Sequence, residues 1–375
     1  MAPVARDATP GMDATLHCRW TPRGGAPHAA RPPGHPARFF AFAALVLLLA
    51  TGCAHRPALQ RHEFVSLQMA IPFRIVLFAK DGTTATNAAN AAWKRISQLN
   101  DRLSDYDAES ELSRFSAGSP HADWVPLSDD LGHVLTAAQR VSEASGGAFD
   151  VTVGPLTQLW RRARRQHQLP EAARLAEARA AVGWSAVQLR AHGGHTEGRL
   201  LRPGMKLDLG GIAKGYALDA ATEVLRRHGI RRSLVAGAGD ILVTDAPPGE
   251  TGWKIEIGAL DAPDAPPARV VWLRHAGLCT SGDVFQHVEI DGVRYSHIVD
   301  PRTGLGVTDH SLVTVIGRDG MTTDALSKVA SVGGPELGLA VAPRFGVEML
   351  VVRRPATRVE VRETPGFRRW EKRGH

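Results

Sequence analysis

The chain has 375 residues, 43% apolar and 22% charged, ordinary proportions for a soluble globular protein able to bury a substantial core. Its 38 glycines and 24 prolines favour a turn-rich α+β or α/β architecture over a helical bundle. The formal charge of +7 does not make a nucleic-acid binder: residues 1–52 hold five arginines and two aspartates, much of the remainder is an Arg-rich tail from Arg353 to Arg373, and no basic run is interleaved with aromatics. The charge reads as a solvated surface, with some attraction to anionic lipid headgroups.

In chain order, the first feature is an apolar run of twelve residues, 39–50, preceded by Arg31 and Arg38. It is too short to span a bilayer comfortably and suits the core of a signal peptide. It ends in Ala50-Thr51-Gly52-Cys53, which resembles a bacterial lipobox, so Cys53 is expected to be lipidated. This predicts a signal peptide over 1–52, a lipidated cysteine and tether over 53–62, a folded domain over 63–355 and a basic tail over 356–375. The protein is then expected on the periplasmic side of a bacterial envelope, anchored to a membrane by lipid. Cys279 is left as a lone thiol with no disulfide partner.

Val65 to Phe78 reads as a strand and Ala85 to Leu103 as a helix with apolar residues at three- and four-residue steps. Glu109 to Leu112 can start a short helix, and Ser128-Asp129-Asp130 caps another that stops at Gly146-Gly147. Arg161 to Arg190 is expected as two helical pieces parted by Pro170. Another helix is expected from Ile212 to about His228. Strands follow at Leu234-Val235, Trp253–Ile257, Arg269–Leu273, Val284–Ile290 and Leu312–Ile316. Asp324 to Val332 reads as a helix ended by Gly333-Gly334-Pro335, and Gly346 to Val352 as a last strand. Helices and strands alternate without βαβ regularity, which points to α+β.

Four segments carry chemistry. Leu207-Asp208-Leu209-Gly210-Gly211-Ile212-Ala213-Lys214 is a strand, a glycine turn and a helix start, which aims free amides and Lys214 at an anion, or is simply a tight turn with a surface lysine. Ser145-Gly146-Gly147-Ala148-Phe149-Asp150 is explained as a helix C-cap, apart from its aromatic and carboxylate. In His297-Ile298-Val299-Asp300-Pro301 a histidine precedes a rigid turn; proton transfer competes with a satisfied core histidine, and Asp300 can form an Asx-turn. Asp324, Ser327 and Lys328 share a helix face, an arrangement that suits Mg²⁺ or, more plainly, an N-cap beside a solvated pair.

Together these segments, in order from Met69 to Val352, resemble the ApbE family of flavin transferases. The resemblance includes Ser104-Asp105-Tyr106, Gly239-Asp240, Thr280-Ser281-Gly282-Asp283, His297-x-x-Asp300-Pro301-x-Thr303-Gly304 and Thr323-Asp324-Ala325. It implies mixed helices and largely antiparallel sheets around a flavin-binding cleft. It also implies Mg²⁺-dependent transfer of FMN from FAD to a threonine hydroxyl of an acceptor protein, with release of AMP. Met69, Tyr106, Ala148, Phe149, Asp150, Asp208, Lys214 and Ile298 would line the FAD. The Gly211 carbonyl and Asp324, helped by Ser327, would hold Mg²⁺, and His297 would be the base. The acceptor is expected to carry a Ser/Thr-containing motif.

The chain departs from the family pattern at Met69-Ala70-Ile71, at Ala236-Gly237-Ala238-Gly239-Asp240 and at Lys328, which stands where a threonine commonly follows the metal aspartate. An ammonium cannot ligate Mg²⁺. FAD hydrolysis with water as acceptor and non-catalytic flavin binding are the competing expectations.

Overall fold

A computed structural model describes residues 58–260, 268–284, 286–355 and 358–372. Cys53 and the predicted signal peptide lie outside the described residues.

The strands are β1 (Gln60–Gln68), β2 (Ile71–Ala79), β3 (Val125–Pro126), β4 (Val187–His192), β5 (His195–Leu200), β6 (Ser233–Gly237), β7 (Asp240–Val243), β8 (Trp253–Ile257), β9 (Arg269–Leu273), β10 (Ala276–Gly282), β11 (His287–Ile290), β12 (Val293–Ser296), β13 (Ser311–Gly317), β14 (Glu348–Arg353) and β15 (Glu360–Glu363). The helices are α1 (Gly82–Leu103), α2 (Glu111–Ala117), α3 (Asp129–Ala144), α4 (Gly154–Gln166), α5 (Ala172–Ala180), α6 (Ala213–Arg227) and α7 (Gly320–Val341). The α+β expectation holds: an antiparallel sheet in the order β1-β2-β6-β7-β10-β13-β14-β15 forms the frame.

The period of two along the strands sorts apolar side chains to the two faces. Phe73, Ile75 and Leu77 of β2, with Val313 and Val315 of β13, pack against α1, α3, α6 and α7. Val76, Leu312 and Ile316 point the other way, onto the β8–β9 hairpin and Phe367. A third cluster joins α4 and α5 to the β11–β12 hairpin through Leu156, Trp160, Ala178, Val288 and Ile290. The site lies where this small layer meets the large one.

Several boundaries differ from the sequence reading for local reasons. The strand read as Val65 to Phe78 is a hairpin, turned at Met69 and Ala70, both with positive φ (49° and 61°). The alanine-rich segment after Pro170 ends at Ala180, and Val187 to His192 pairs with β5. Helix α7 begins at Gly320, capped by Asp319, whose carboxylate accepts the Thr322 amide at 2.7 Å. Asp324 is therefore interior to the helix and not its cap. Gly334 (φ 79°) breaks the helix as expected, but the chain turns helical again through Val341. The stretch read as a basic tail supplies β15 and the fully buried Phe367.

Candidate active site

Two glycines bring α6 and α7 together. A Cβ on Gly215 would run into the Gly320 carbonyl, so only glycine lets the two helix starts approach this closely. The Gly215 amide donates to Asp324 Oδ2 at 3.2 Å. Lys214, one residue earlier, reaches Asp324 Oδ2 (3.2 Å), Asp240 Oδ2 (3.7 Å) and the Gly210 carbonyl (2.7 Å). Lys328, one turn after Asp324, donates to Asp324 Oδ1 at 2.7 Å and Ser327 Oγ at 2.9 Å. Ser327 Oγ in turn donates to the Asp324 carbonyl at 2.7 Å.

Strands β7 and β10 close this cluster from beneath. Asp240 and Cys279 are direct cross-strand partners, and one ligand atom each from Asp240, Cys279 and Asp324 lie within 4.8 Å of one another. Burial raises Asp240 above the usual carboxylate range, with the Asp324 charge adding to it. Burial also opposes charge on Asp324, but Lys214 and Lys328 outweigh it and hold that carboxyl below its ordinary value. For Lys328 burial is again overcome, chiefly by Asp324, and the ammonium is held charged. The Cys279 thiol is pushed well up by burial and by Asp240, so it stays protonated.

Beside this cluster opens a cleft of about 260 Å³. Its walls include Tyr106, Ala148, Phe149, Asp150, Asp208, Gly211, His297, Ile298 and Lys328, gathered from five segments far apart in sequence. Six of the eight residues expected to line FAD thus meet here. Met69 and Lys214 are not among the lining residues; Lys214 turns to the acidic cluster, not to the cleft. Asp324 and Ser327 lie behind Lys328.

The lining carboxylates are held by local geometry. Asp150 accepts from the Thr152 amide and hydroxyl (2.8 and 2.6 Å) and the Trp184 amide (2.9 Å), while burial raises its pKa. Asp208 is paired with Arg161 at 2.9 Å, and the same guanidinium holds Asp105 at 2.6 Å and lies 4.2 Å from the Tyr106 ring centroid. Tyr106 itself is 78% exposed at the cleft mouth, an aromatic platform open to a planar ring. Asp300 takes the structural role open to it: its carboxylate accepts the Arg302 amide and pairs with the Arg302 guanidinium at 2.8 Å.

His297 Nδ1 lies 3.2 Å from the Gln286 carbonyl, a contact that fixes Nδ1 as the protonated nitrogen and leaves Nε2 as the acceptor. Burial, then Lys328 and Arg164, lower its pKa to about 4. Arg164 was missed by sequence reasoning, because the run from Arg161 to Arg165 looks like a solvated helix face. It is half-buried in the cleft wall without a carboxylate partner among the described residues, and burial lowers its pKa. The missed signal was spacing: Trp160, Arg161 and Arg164 share one side of an amphipathic helix.

The expected Mg²⁺ ligands do not fit that ion as they stand. Lys328 places an ammonium on the oxygens of Asp324 and Ser327, and two lysines already balance Asp240 and Asp324.

The ApbE family model matches residues 69–351. An FAD:protein FMN transferase of Vibrio cholerae serotype O1 is 31% identical over 310 residues, spanning 82% of this chain and 91% of the relative. One from Salmonella typhimurium is 29% identical over 296 residues, spanning 77% and 82%. Among solved structures, the apo flavinyl transferase ApbE of Pseudomonas stutzeri superposes with a TM-score of 0.73 at 29% identity, covering 85% of this chain and 98% of that one. The flavin transferase ApbE of Vibrio cholerae gives 0.72 at 28% identity, covering 83% and 99%. With three quarters of its length matched by the family model and its cleft built from the family's motifs, this chain belongs to the ApbE family.

Proposed function

We propose that this enzyme transfers the FMN half of FAD to a threonine hydroxyl of an acceptor protein and releases AMP. The observation that carries the reading is a neutral histidine, His297, set in one cleft with the cations Arg161, Arg164 and Lys328. Such a cleft attracts a diphosphate and offers a proton acceptor beside it. Tyr106 supplies a ring face for a flavin or adenine, and Ala148, Phe149 and Ile298 an apolar floor.

In the step itself, the acceptor oxygen attacks the phosphorus next to the flavin ribityl chain. The bond from that phosphorus to the bridging oxygen breaks, AMP leaves with the electron pair, and the hydroxyl proton passes to His297 Nε2. Bound diphosphate brings negative charge near the imidazole and raises its proton affinity when a base is needed. The cations neutralise charge that builds on the departing phosphate. The lipobox-like Ala50-Thr51-Gly52-Cys53 supports action at a membrane surface on the periplasmic side.

The test is to incubate the chain beginning after Cys53 with FAD and an acceptor bearing a Ser/Thr motif, with and without Mg²⁺. Mass spectrometry follows the acceptor and chromatography follows AMP. Acceptor heavier by FMN, with matching AMP, is the expected result. Free FMN and AMP with unmodified acceptor would make the enzyme an FAD pyrophosphatase instead, and intact bound FAD would make it a carrier.

A further inference from the structure

We propose that the Lys328 ammonium is a built-in replacement for the divalent cation, so that this chain handles the diphosphate of FAD without a dissociable metal at Asp324. The proposal rests on the reading of the cleft as an FAD site and specifies how that site supplies its positive charge.

Position comes first. Lys328 Nζ sits 2.7 Å from Asp324 Oδ1 and 2.9 Å from Ser327 Oγ, two oxygens that Mg²⁺ would need at about 2.0–2.1 Å. Its remaining contacts, the Asp324 carbonyl at 3.4 Å and Cys279 Sγ at 4.0 Å, are long. An ammonium has three protons, so one is left for a phosphate oxygen in the cleft that Lys328 lines. The placement is also braced. The Lys328 stem packs over the Gly211 turn, where a Cβ would lie 3.2 Å from Lys328 Cγ and 3.3 Å from Phe149 Cε2.

Charge is the second argument, and it is independent of the first. The cluster holds two buried carboxylates, Asp240 and Asp324, and two half-buried ammoniums, Lys214 and Lys328. It is already neutral. A dication entering with Lys328 in place would leave two uncompensated positive charges in a desolvated site, at a cost of several kcal/mol per ion. With a threonine at 328 the cluster would carry a net negative charge and a vacant oxygen-lined position, the arrangement that takes up a metal.

The chemical consequence is a narrower role for the cation. A metal draws phosphate oxygens into its coordination shell, whereas the ammonium donates a hydrogen bond and a fixed charge from the protein itself. AMP leaves with the same electron pair and the same proton reaches His297; only the source of positive charge differs.

The experiment uses the full chain in detergent, stripped with EDTA and exchanged into metal-free buffer. Mn²⁺ is titrated by electron paramagnetic resonance, with and without FAD, in the wild type and in Lys328→Thr. AMP release is followed in EDTA and in Mg²⁺. The wild type should leave Mn²⁺ free, FAD present or not, and release AMP in EDTA within about twofold of its rate in Mg²⁺. Lys328→Thr should bind Mn²⁺ at least about tenfold more tightly and release AMP only with metal. Saturable Mn²⁺ binding by the wild type that Asp324→Asn abolishes would overturn the proposal, as would AMP release that stops in EDTA and returns with Mg²⁺. If Lys328→Thr does not fold, the wild-type titration still decides. If no variant releases AMP, the flavin-transfer reading fails, while the Mn²⁺ titration still judges the role of Lys328.

Discussion

The two walls of the cleft treat charge in opposite ways. On the α6–α7 side, the buried Asp240 and Asp324 are matched two against two by the half-buried Lys214 and Lys328, and the pairing is pinned by backbone contacts at Gly215 and Gly320. On the α4 side, Arg164 has no carboxylate partner among the described residues, Tyr106 stands in solvent and His297 is neutral. The first wall is an internal salt lattice whose charges already answer one another. The second is left partly unsatisfied and so can respond to an incoming anion. Charge buried in pairs builds the floor of the site, and charge left single selects what lands on it.

This contrast is broken most severely from the buried side. Asp324→Ala leaves two ammoniums against the single carboxylate of Asp240 and should cost about 3–5 kcal/mol, seen as a lower urea midpoint, with AMP release lost. A variant as stable as the wild type would mean that water reaches the cluster freely. Gly215→Ala forces the α6 and α7 starts apart and should cost about 2–3 kcal/mol while loosening Lys214 from Asp324. Chemical denaturation paired with FAD binding checks this, and an unchanged midpoint contradicts the close approach.

Changes on the open wall should leave stability at neutral pH nearly alone and strike function. His297→Gln should lower kcat/KM by about 10²–10³-fold with little change in FAD affinity. The wild-type kcat/KM should stay level from neutrality down to mildly acidic pH and fall only towards pH 4, because the free enzyme's imidazole titrates at about 4. An acid limb near the ordinary histidine value of about 6.5 would count against His297 as the base. The same depression has a stability sign. As pH falls from about 6.5 towards 4, the unfolded chain takes up the proton first, so folding stability drops across that window. His297→Gln should flatten that part of the curve. Arg164→Ala should weaken FAD binding about tenfold and move the urea midpoint by no more than about 0.5 kcal/mol. The smallest effect is expected for Tyr106→Leu, about 1 kcal/mol in FAD affinity from lost stacking, measured by flavin fluorescence titration.

The legible parts of the molecule were those in which local chemistry and position coincide. Gly146-Gly147 caps a helix whatever lies around it, and Ala148, Phe149 and Asp150 emerge from that cap into the cleft. The His297 turn is equally local, with Asp300 and Gly304 shaping it. What stayed hidden depends on pairing across the sheet. Asp240 and Cys279 meet only because β7 and β10 are in register, and β10 (Ala276–Gly282) is built from small residues with no alternation to announce a strand. Lys214 has the sequence of a phosphate ligand, but the acidic cluster brought near by α7 captures it. Lys328 was visible as an oddity in the sequence, whereas its meaning needed the distances to Asp324 and Ser327.

The thiol of Cys279, sealed under Ser327 at 3.3 Å and kept protonated, also makes the site its own reporter. Alkylating reagents need thiolate and access, and the closed cluster denies both. In a chain with Cys18 and Cys53 replaced by serine, the labelling rate of this sulfur therefore clocks how often the floor beneath the flavin cleft comes apart.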